Sequence, residues 1–187
     1  RRPVESGGVA LHTGEKVHFK LLPSDACEGI IFQRVDLPGN PLVRVHPDSV
    51  CRESLQRRTE LVGKGDARVA TPEHLLASCM ALGIDNLRVE LDGPEMPIFD
   101  GSALPFTRLL TLAGKTKMKR PRIPWKLPEP TGIQRDGAEI MAIPAERMQL
   151  VFFAELKHAG LQNQYAEIDL SSDKFIDEVA PARTFVF

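Results

Sequence analysis

Apolar and polar side chains alternate with a period of two in several stretches of this chain. In residues 87–91 Leu, Val and Leu alternate with Arg and Glu, and in residues 166–170 Ala, Ile and Leu alternate with Glu and Asp. This alternation predicts β-strands with one buried and one solvated face. The other predicted strands are residues 18–22, 29–35, 43–45, 138–143 and 148–156. Sheets are therefore expected in both halves of the chain.

Helical spacing of apolar residues marks three further segments. The clearest is 71–82, with Thr71 as the predicted N-cap, Pro72 at the first helical position and Gly83 just past the end. The other two predicted helices are residues 105–113 and 172–179. Strands and helices together predict a mixed α and β fold.

The amino-acid composition changes between the two halves of the chain. Residues 115–131 interleave Lys and Arg with four Pro residues, a composition that disfavours helix and sheet and is typical of a linker. Its positive charge is more typical of a solvated surface than of a ligand site. We therefore expect a first α+β domain at 1–114, a linker at 115–131 and the start of a second, similar domain at 132–187.

Charge and cysteine usage exclude several classes of protein. The 24 basic residues are balanced by 25 acidic ones, for a net charge of −1, which indicates no nucleic-acid partner and no general attraction to anionic membranes. No apolar run is long enough for an integral membrane segment, and the residues 1–3, Arg-Arg-Pro, are not expected to open a signal peptide. Three widely spaced cysteines fit reduced thiols better than a disulfide framework or a cysteine zinc site. A cytoplasmic location is expected.

Glu73 and His74 form the most chemically suggestive pair. Both fall in the first turn of a predicted helix, where unpaired backbone N–H groups favour an anion and disfavour a cation. Glu73 is thus expected as a carboxylate and His74 as a neutral imidazole, the form that binds metal. A carboxylate beside a metal site can act as a general base in hydrolysis. Taken alone, however, the two residues are more typical of ordinary helix capping than of catalysis.

Five separated motifs place this pair in a wider pattern. They are GVALHTG at 8–14, TPEHLLA at 71–77, GIDNL at 83–87, PIFDGSALPF at 97–106 and APARTF at 180–185. In this order they resemble the zinc-dependent UDP-3-O-acyl-N-acetylglucosamine deacetylases of lipid A synthesis, and the resemblance covers almost the whole chain.

The resemblance implies an α+β protein with two similar two-layer sandwich domains, the second incomplete here. It implies that His74 is a zinc ligand, joined by a His and an Asp from a later His-x-x-x-Asp motif, and that Glu73 is the general base. Thr184 and Phe185 are similar to family residues that line the zinc pocket and the acyl entrance. Asp100 is similar to a buried acidic residue that supports the site.

The reaction implied by the resemblance is hydrolysis of an acetamide. The substrate is an acylated UDP-sugar, a zinc-bound water is the nucleophile, and zinc stabilises the oxyanion that forms. The products are acetate and a 2-amino sugar that keeps its acyl chain and UDP.

The chain also departs from the family pattern. It contains no His-x-x-x-Asp motif, so we expect the remaining zinc ligands to lie outside it and the fragment alone to be inactive. Val186 stands where the family has Gly, and Arg57 and Arg58 could contact phosphate or solvent. Two alternatives to an enzyme remain. One is a non-catalytic module that binds a sugar nucleotide or a protein, and the other is a fragment that associates with itself through an exposed sheet.

Overall fold

The computed structural model describes residues 2–52, 58–123, 126–155 and 162–184 of the 187-residue chain. The described residues group into two units, one formed by 2–118 with 175–184 and the other by 119–174. Helices and antiparallel and parallel strands occur together, which confirms the α+β class. No helix in the described ranges combines the length and apolar character that a bilayer crossing requires.

A five-stranded sheet forms one layer of the first unit. Its strands are β1 (Val4–Val9), β2 (Lys16–Leu22), β3 (Ile30–Arg34), β4 (Leu42–Arg44) and β7 (Leu87–Leu91). Their order is β1-β2-β7-β3-β4, and all neighbours are antiparallel except β3 and β7. A separate antiparallel pair, β5 (Glu60–Val62) and β6 (Arg68–Ala70), leads into the first helix.

Two helices, α1 (Glu73–Ala81) and α2 (Leu104–Ala113), form the second layer. Every second residue of β7 is buried, as the alternation of its sequence predicts. Leu75 and Cys79 of α1 and Phe106 and Leu110 of α2 share one core with the inward residues of the sheet. The sheet residues of this core include Val17, Phe19, Leu21, Phe32, Val43, Leu87, Val89 and Leu91.

The start of α1 differs from the prediction. Pro72 occupies the N-cap position without a side-chain cap, and the hydroxyl of Thr71 donates a hydrogen bond to Glu95 instead of accepting one from the helix. The prediction of Thr71 as N-cap is therefore wrong. A buried carboxylate is a stronger competitor for the hydroxyl than the N–H groups of the helix, because it needs donors to offset its burial. Gly83 does follow the helix end, with a φ of +67°.

The second unit contains two antiparallel hairpins. Strands β8 (Thr131–Arg135) and β9 (Ala138–Ala142) form the first, and β10 (Gln149–Ala154) and β11 (Gln164–Asp169) form the second. A single helical turn, α3 (Ser172–Lys174), follows. Residues 115–123 and 126–130 contain neither helix nor strand, and most of their side chains are exposed.

Residues 175–184 belong to the first unit, whereas the division predicted from the sequence placed them in the second. They begin with a π-helix, Phe175–Val179, in which Phe175 is buried. Ala180 is also buried, and Arg183 forms a β-bridge with Ser102. Burial of these side chains and the bridge tie the segment to the first unit.

Candidate active site

Glu73 is the first residue of α1, and its two carboxylate oxygens have different surroundings. Oε1 accepts a hydrogen bond of 3.4 Å from the backbone N–H of Thr59. Oε2 is buried, and no described residue donates a hydrogen bond to it. Leaving a buried acceptor unpaired costs free energy, so such an atom in a native protein normally faces a water, an ion or a ligand. One oxygen of Glu73 is therefore held by the backbone, and the other is available for chemistry.

His74 is half-buried and follows Glu73 directly. Burial lowers the pKa of its imidazole below the ordinary value, and the negative charges of Glu73 and Asp100 only partly oppose this effect. The predicted neutral form is thus supported, with burial as the main cause. A neutral imidazole offers a nitrogen lone pair to a metal ion.

A buried polar cluster holds this turn of α1 against α2. Ser78 Oγ lies 2.8 Å from the carbonyl oxygen of His74 and 3.0 Å from Thr107 Oγ1. Thr107 Oγ1 in turn donates to the carbonyl oxygen of Ala103, 3.0 Å away. These hydrogen bonds fix the backbone of His74 relative to α2 and limit where its imidazole can lie.

Asp100 lies in a tight turn before α2. Its side chain is 43% exposed, so the expectation of a buried residue is wrong. Oδ1 accepts hydrogen bonds from the hydroxyl and the backbone N–H of Ser102, at 2.8 and 3.2 Å. The hydroxyl contributes most to holding the pKa of Asp100 below its usual value, with help from Arg183. The turn needs left-handed backbone at Phe99 and Gly101, which lifts the carboxylate out of the core.

Thr184 lies beside this turn. Its backbone N–H donates to the carbonyl oxygen of Gly101 at 2.9 Å, and Arg183 Nη2 is 3.9 Å from Asp100 Oδ2. The side chain of Thr184 is exposed. Phe185, the other predicted substrate-binding residue, lies outside the described residues, as do Arg57 and Val186.

The described residues do not make a complete zinc site. No group of three His, Cys, Asp or Glu side chains within them could hold a metal ion. His74 nevertheless fits one position of such a site, since burial lowers the pKa of its imidazole and it follows Glu73, whose buried Oε2 accepts no hydrogen bond from a described residue. The residues present therefore match part of a zinc centre.

Two acidic residues near the start of α1 were not singled out by the sequence patterns. Glu95 is fully buried and accepts hydrogen bonds from Thr71 and from the backbone of the 8–14 motif. Glu60 is also buried and pairs with Arg58 and Arg68. Arg58 thus has an intramolecular acid as its partner. No periodicity in the sequence identifies a buried acid.

Comparison with known proteins agrees with this geometry. A family model described as UDP-3-O-acyl N-acetylglycosamine deacetylase matches residues 1–187. Similar curated proteins are named UDP-3-O-acyl-N-acetylglucosamine deacetylase. They include one from Trichormus variabilis, 37% identical over 95% of this chain and 64% of its own length. Another, from Hamiltonella defensa, is 39% identical over 98% of this chain and 60% of its own length.

The chain spans about three fifths of the length of these relatives; for the protein of Citrifermentans bemidjiense, 36% identical, the share is 58%. The family model nonetheless covers every residue from first to last. The chain therefore belongs to the UDP-3-O-acyl N-acetylglycosamine deacetylase family.

Proposed function

We propose that the complete protein carrying this chain is a zinc-dependent hydrolase that removes the N-acetyl group from UDP-3-O-acyl-N-acetylglucosamine. Membership of the deacetylase family and the names of the relatives support this substrate. The structural observation that carries the proposal is the buried Oε2 of Glu73, to which no described residue donates a hydrogen bond, followed in the chain by His74, whose pKa burial lowers. A base and a metal ligand at adjacent positions are what metal-assisted amide hydrolysis requires.

His74 would hold the zinc through an imidazole nitrogen, and the other protein ligands would come from outside the described residues. When bound, zinc supplies a Lewis acid that makes a water molecule more acidic and stabilises negative charge on the carbonyl oxygen. The hydrogen bonds of Ser78 keep the backbone of His74 in place for this role.

Glu73 acts as the general base. Its Oε2 removes a proton from the attacking water while the water oxygen bonds to the acetamide carbonyl carbon. The bond from that carbon to nitrogen then breaks, and the leaving nitrogen takes up a proton. One water is consumed, and acetate and a free 2-amino sugar are formed. The N–H of Thr59 on Oε1 orients the carboxylate so that Oε2 faces the reaction.

The surrounding residues have supporting roles in this proposal. Asp100 places negative charge close enough to His74 to oppose the lowering of its pKa, so its supporting role would be electrostatic. Thr184, held to the Asp100 turn by its backbone, and Phe185 would contact the substrate. A non-catalytic binding module would also leave Oε2 of Glu73 facing a ligand, so release of acetate, and not binding, distinguishes the two functions.

The test is a pair of substitutions in the full-length protein. Glu73→Gln keeps the size of the side chain but cannot accept the proton, so turnover should fall by ~10²–10⁴-fold while bound zinc stays near the wild-type level. His74→Ala removes a ligand and should lower zinc content and turnover together. Released acetate and bound zinc are measured on the same samples.

Glu5→Gln is the matched control, because Glu5 is exposed on β1, opposite Lys20 of β2. This substitution should leave both released acetate and bound zinc unchanged. Near-normal turnover of zinc-saturated Glu73→Gln would show that another group activates the water. A wild-type protein that binds the UDP-sugar but releases no acetate would favour the binding module.

A further inference from the structure

Glu95 is a fully buried carboxylate with a complete set of donors. Its Oε1 accepts from Thr71 Oγ1 at 2.8 Å and from the backbone N–H of His12 at 3.1 Å. Its Oε2 accepts from the backbone N–H groups of His12 and Thr13, at 3.2 and 3.0 Å. Burial opposes ionisation, but these hydrogen bonds outweigh it and leave the pKa of Glu95 below its usual value.

Thr71 has a strained backbone. Its φ of +56° lies in the left-handed region, which a β-branched residue rarely adopts. Two hydrogen bonds hold it there: its hydroxyl donates to Glu95, and its N–H donates to the carbonyl oxygen of Thr59 at 2.9 Å. The N–H of the same Thr59 donates to Glu73 Oε1.

The strained residue lies at a critical point of the chain. Strand β6 ends at Ala70 and α1 begins at Glu73, so Thr71 and Pro72 alone make the change of direction. The conformation of Thr71 therefore sets the direction in which α1 starts, and with it the positions of Glu73 and His74. The same carboxylate also fastens the turn of the 8–14 motif, whose Ala10 forms a β-bridge with Pro97.

We propose that Glu95 is a positioning residue of the active site. It contacts neither Glu73 nor His74; it fixes the strained Thr71, and through it the first turn of α1, and it holds the His12–Thr13 turn to the same point. This inference rests on the proposed function for its effect on zinc and turnover. The structural part of the inference, which is the hydrogen bond between Glu95 and Thr71, does not rest on the proposed function.

The first experiment tests that link without metal. In the zinc-free full-length protein, amide hydrogen exchange is measured at residues 8–14 and 58–77. Glu95→Gln replaces one acceptor oxygen with an NH₂ group that faces backbone N–H groups, so exchange should become faster at His12, Thr13 and Thr71. Thr71→Val removes only the hydroxyl and should speed exchange at Thr71, whereas Thr71→Ser should restore wild-type exchange. Unchanged exchange in both Glu95→Gln and Thr71→Val overturns the proposal.

The second experiment tests the effect on the site. Supporting partners of metal ligands are typically worth ~10–100-fold in metal affinity or activity, and we expect a loss of zinc affinity or kcat in that range for Glu95→Gln. KM for the UDP-sugar should change little. The double variant, Glu95→Gln with Thr71→Val, should lose no more zinc affinity or kcat than the worse single variant. Both substitutions break the same hydrogen bond, so their effects should not add. If Glu95→Gln fails to fold, Thr71→Val alone tests the effect on zinc affinity and kcat.

Asp36→Asn is the control for general destabilisation, because Asp36 pairs with the buried Arg34 and not with Glu95, Thr71 or residues 8–14. Arg34 also donates to the carbonyl oxygen of Arg68 in β6, so exchange in this control is compared at residues 8–14. Asp36→Asn should leave zinc affinity, kcat and exchange at residues 8–14 unchanged. Wild-type zinc affinity and kcat in Glu95→Gln and Thr71→Val would overturn the positioning role. A wild-type protein without zinc binding or turnover would instead overturn the proposed function, while the exchange experiment would still decide the link to Thr71.

Discussion

Burial raises the pKa of acidic side chains in the first unit, and hydrogen-bond donors can outweigh that effect. It raises the pKa of the Cys79 thiol to about 12, because the core around α1 disfavours the thiolate. Glu95 is equally enclosed, yet four hydrogen-bond contacts keep its pKa low. At the residue scale, the number of available donors decides whether a buried acid stays ionised.

The thiol of Cys79 predicts a loss of stability at alkaline pH. An unfolded thiol titrates near ~8.5, so the folded state holds its proton more tightly, and the stabilisation is complete below that pH and falls as the pH rises. Relative to Cys79→Ala, the free energy of unfolding of the wild type should drop by roughly 1.4 kcal/mol per pH unit between about 9 and 11. Urea unfolding at several pH values measures it. A difference between the two proteins that does not vary with pH would mean that Cys79 ionises normally.

At the scale of elements, α1 ends on a left-handed glycine. The N–H of Gly83 donates to the carbonyl oxygen of Met80, and the N–H of Ile84 donates to that of Cys79. This pattern satisfies carbonyl groups that would otherwise lack partners at the helix end. It requires a positive φ at Gly83, and a Cβ there would meet no neighbouring atom.

Gly83→Ala should therefore destabilise the protein through backbone strain alone. The expected loss is roughly 1–2 kcal/mol in the free energy of unfolding. Gly83→Asn is the matched variant, since Asn tolerates the left-handed region better, and it should lose clearly less. Denaturant unfolding of the three proteins gives the comparison. Equal losses for Ala and Asn would point to a steric cause in place of backbone strain.

Elements with strong periodicity were predicted well, and those without it were missed. α1, α2 and β7 lie within one or two residues of their predicted bounds. Strand β1 was missed, because Ser6, Gly7 and Gly8 interrupt its alternation and its pairing with β2 provides the hydrogen bonds that define it. The short strands β5 and β6 depend on each other in the same way.

At the scale of the whole molecule, we propose that the boundary between the two units, at residues 118 and 119, lies in an exposed segment that proteases cut first. Limited trypsin digestion tests this: the first cuts should fall at Lys117, Lys119 or Arg122, which are exposed and outside helix and strand. Lys16 and Lys20 of β2 serve as internal controls, because hydrogen bonds to β1 and β7 protect that backbone. First cuts within β2 would contradict the proposal.

Zinc binding by the 187-residue chain alone should be weak. Within the described ranges His74 has no companions that would complete a three-ligand site. Equilibrium dialysis of the chain with zinc measures the affinity, with His74→Ala as the reference. Tight stoichiometric binding that depends on His74 would require ligands within this chain that the structure does not indicate.

The sequence by itself determined the family, the α+β class and the place of Glu73 and His74 at the start of a helix, because motifs and periodicity are local properties of the chain. Only the tertiary structure decided the partner of the Thr71 hydroxyl, the exposure of Asp100, the unpaired oxygen of Glu73 and the return of residues 175–184 to the first unit. Each of these depends on atoms that are distant along the chain, such as those of Thr71 and Glu95, which are 24 positions apart. Burial and hydrogen bonding act through space, so local patterns cannot specify them.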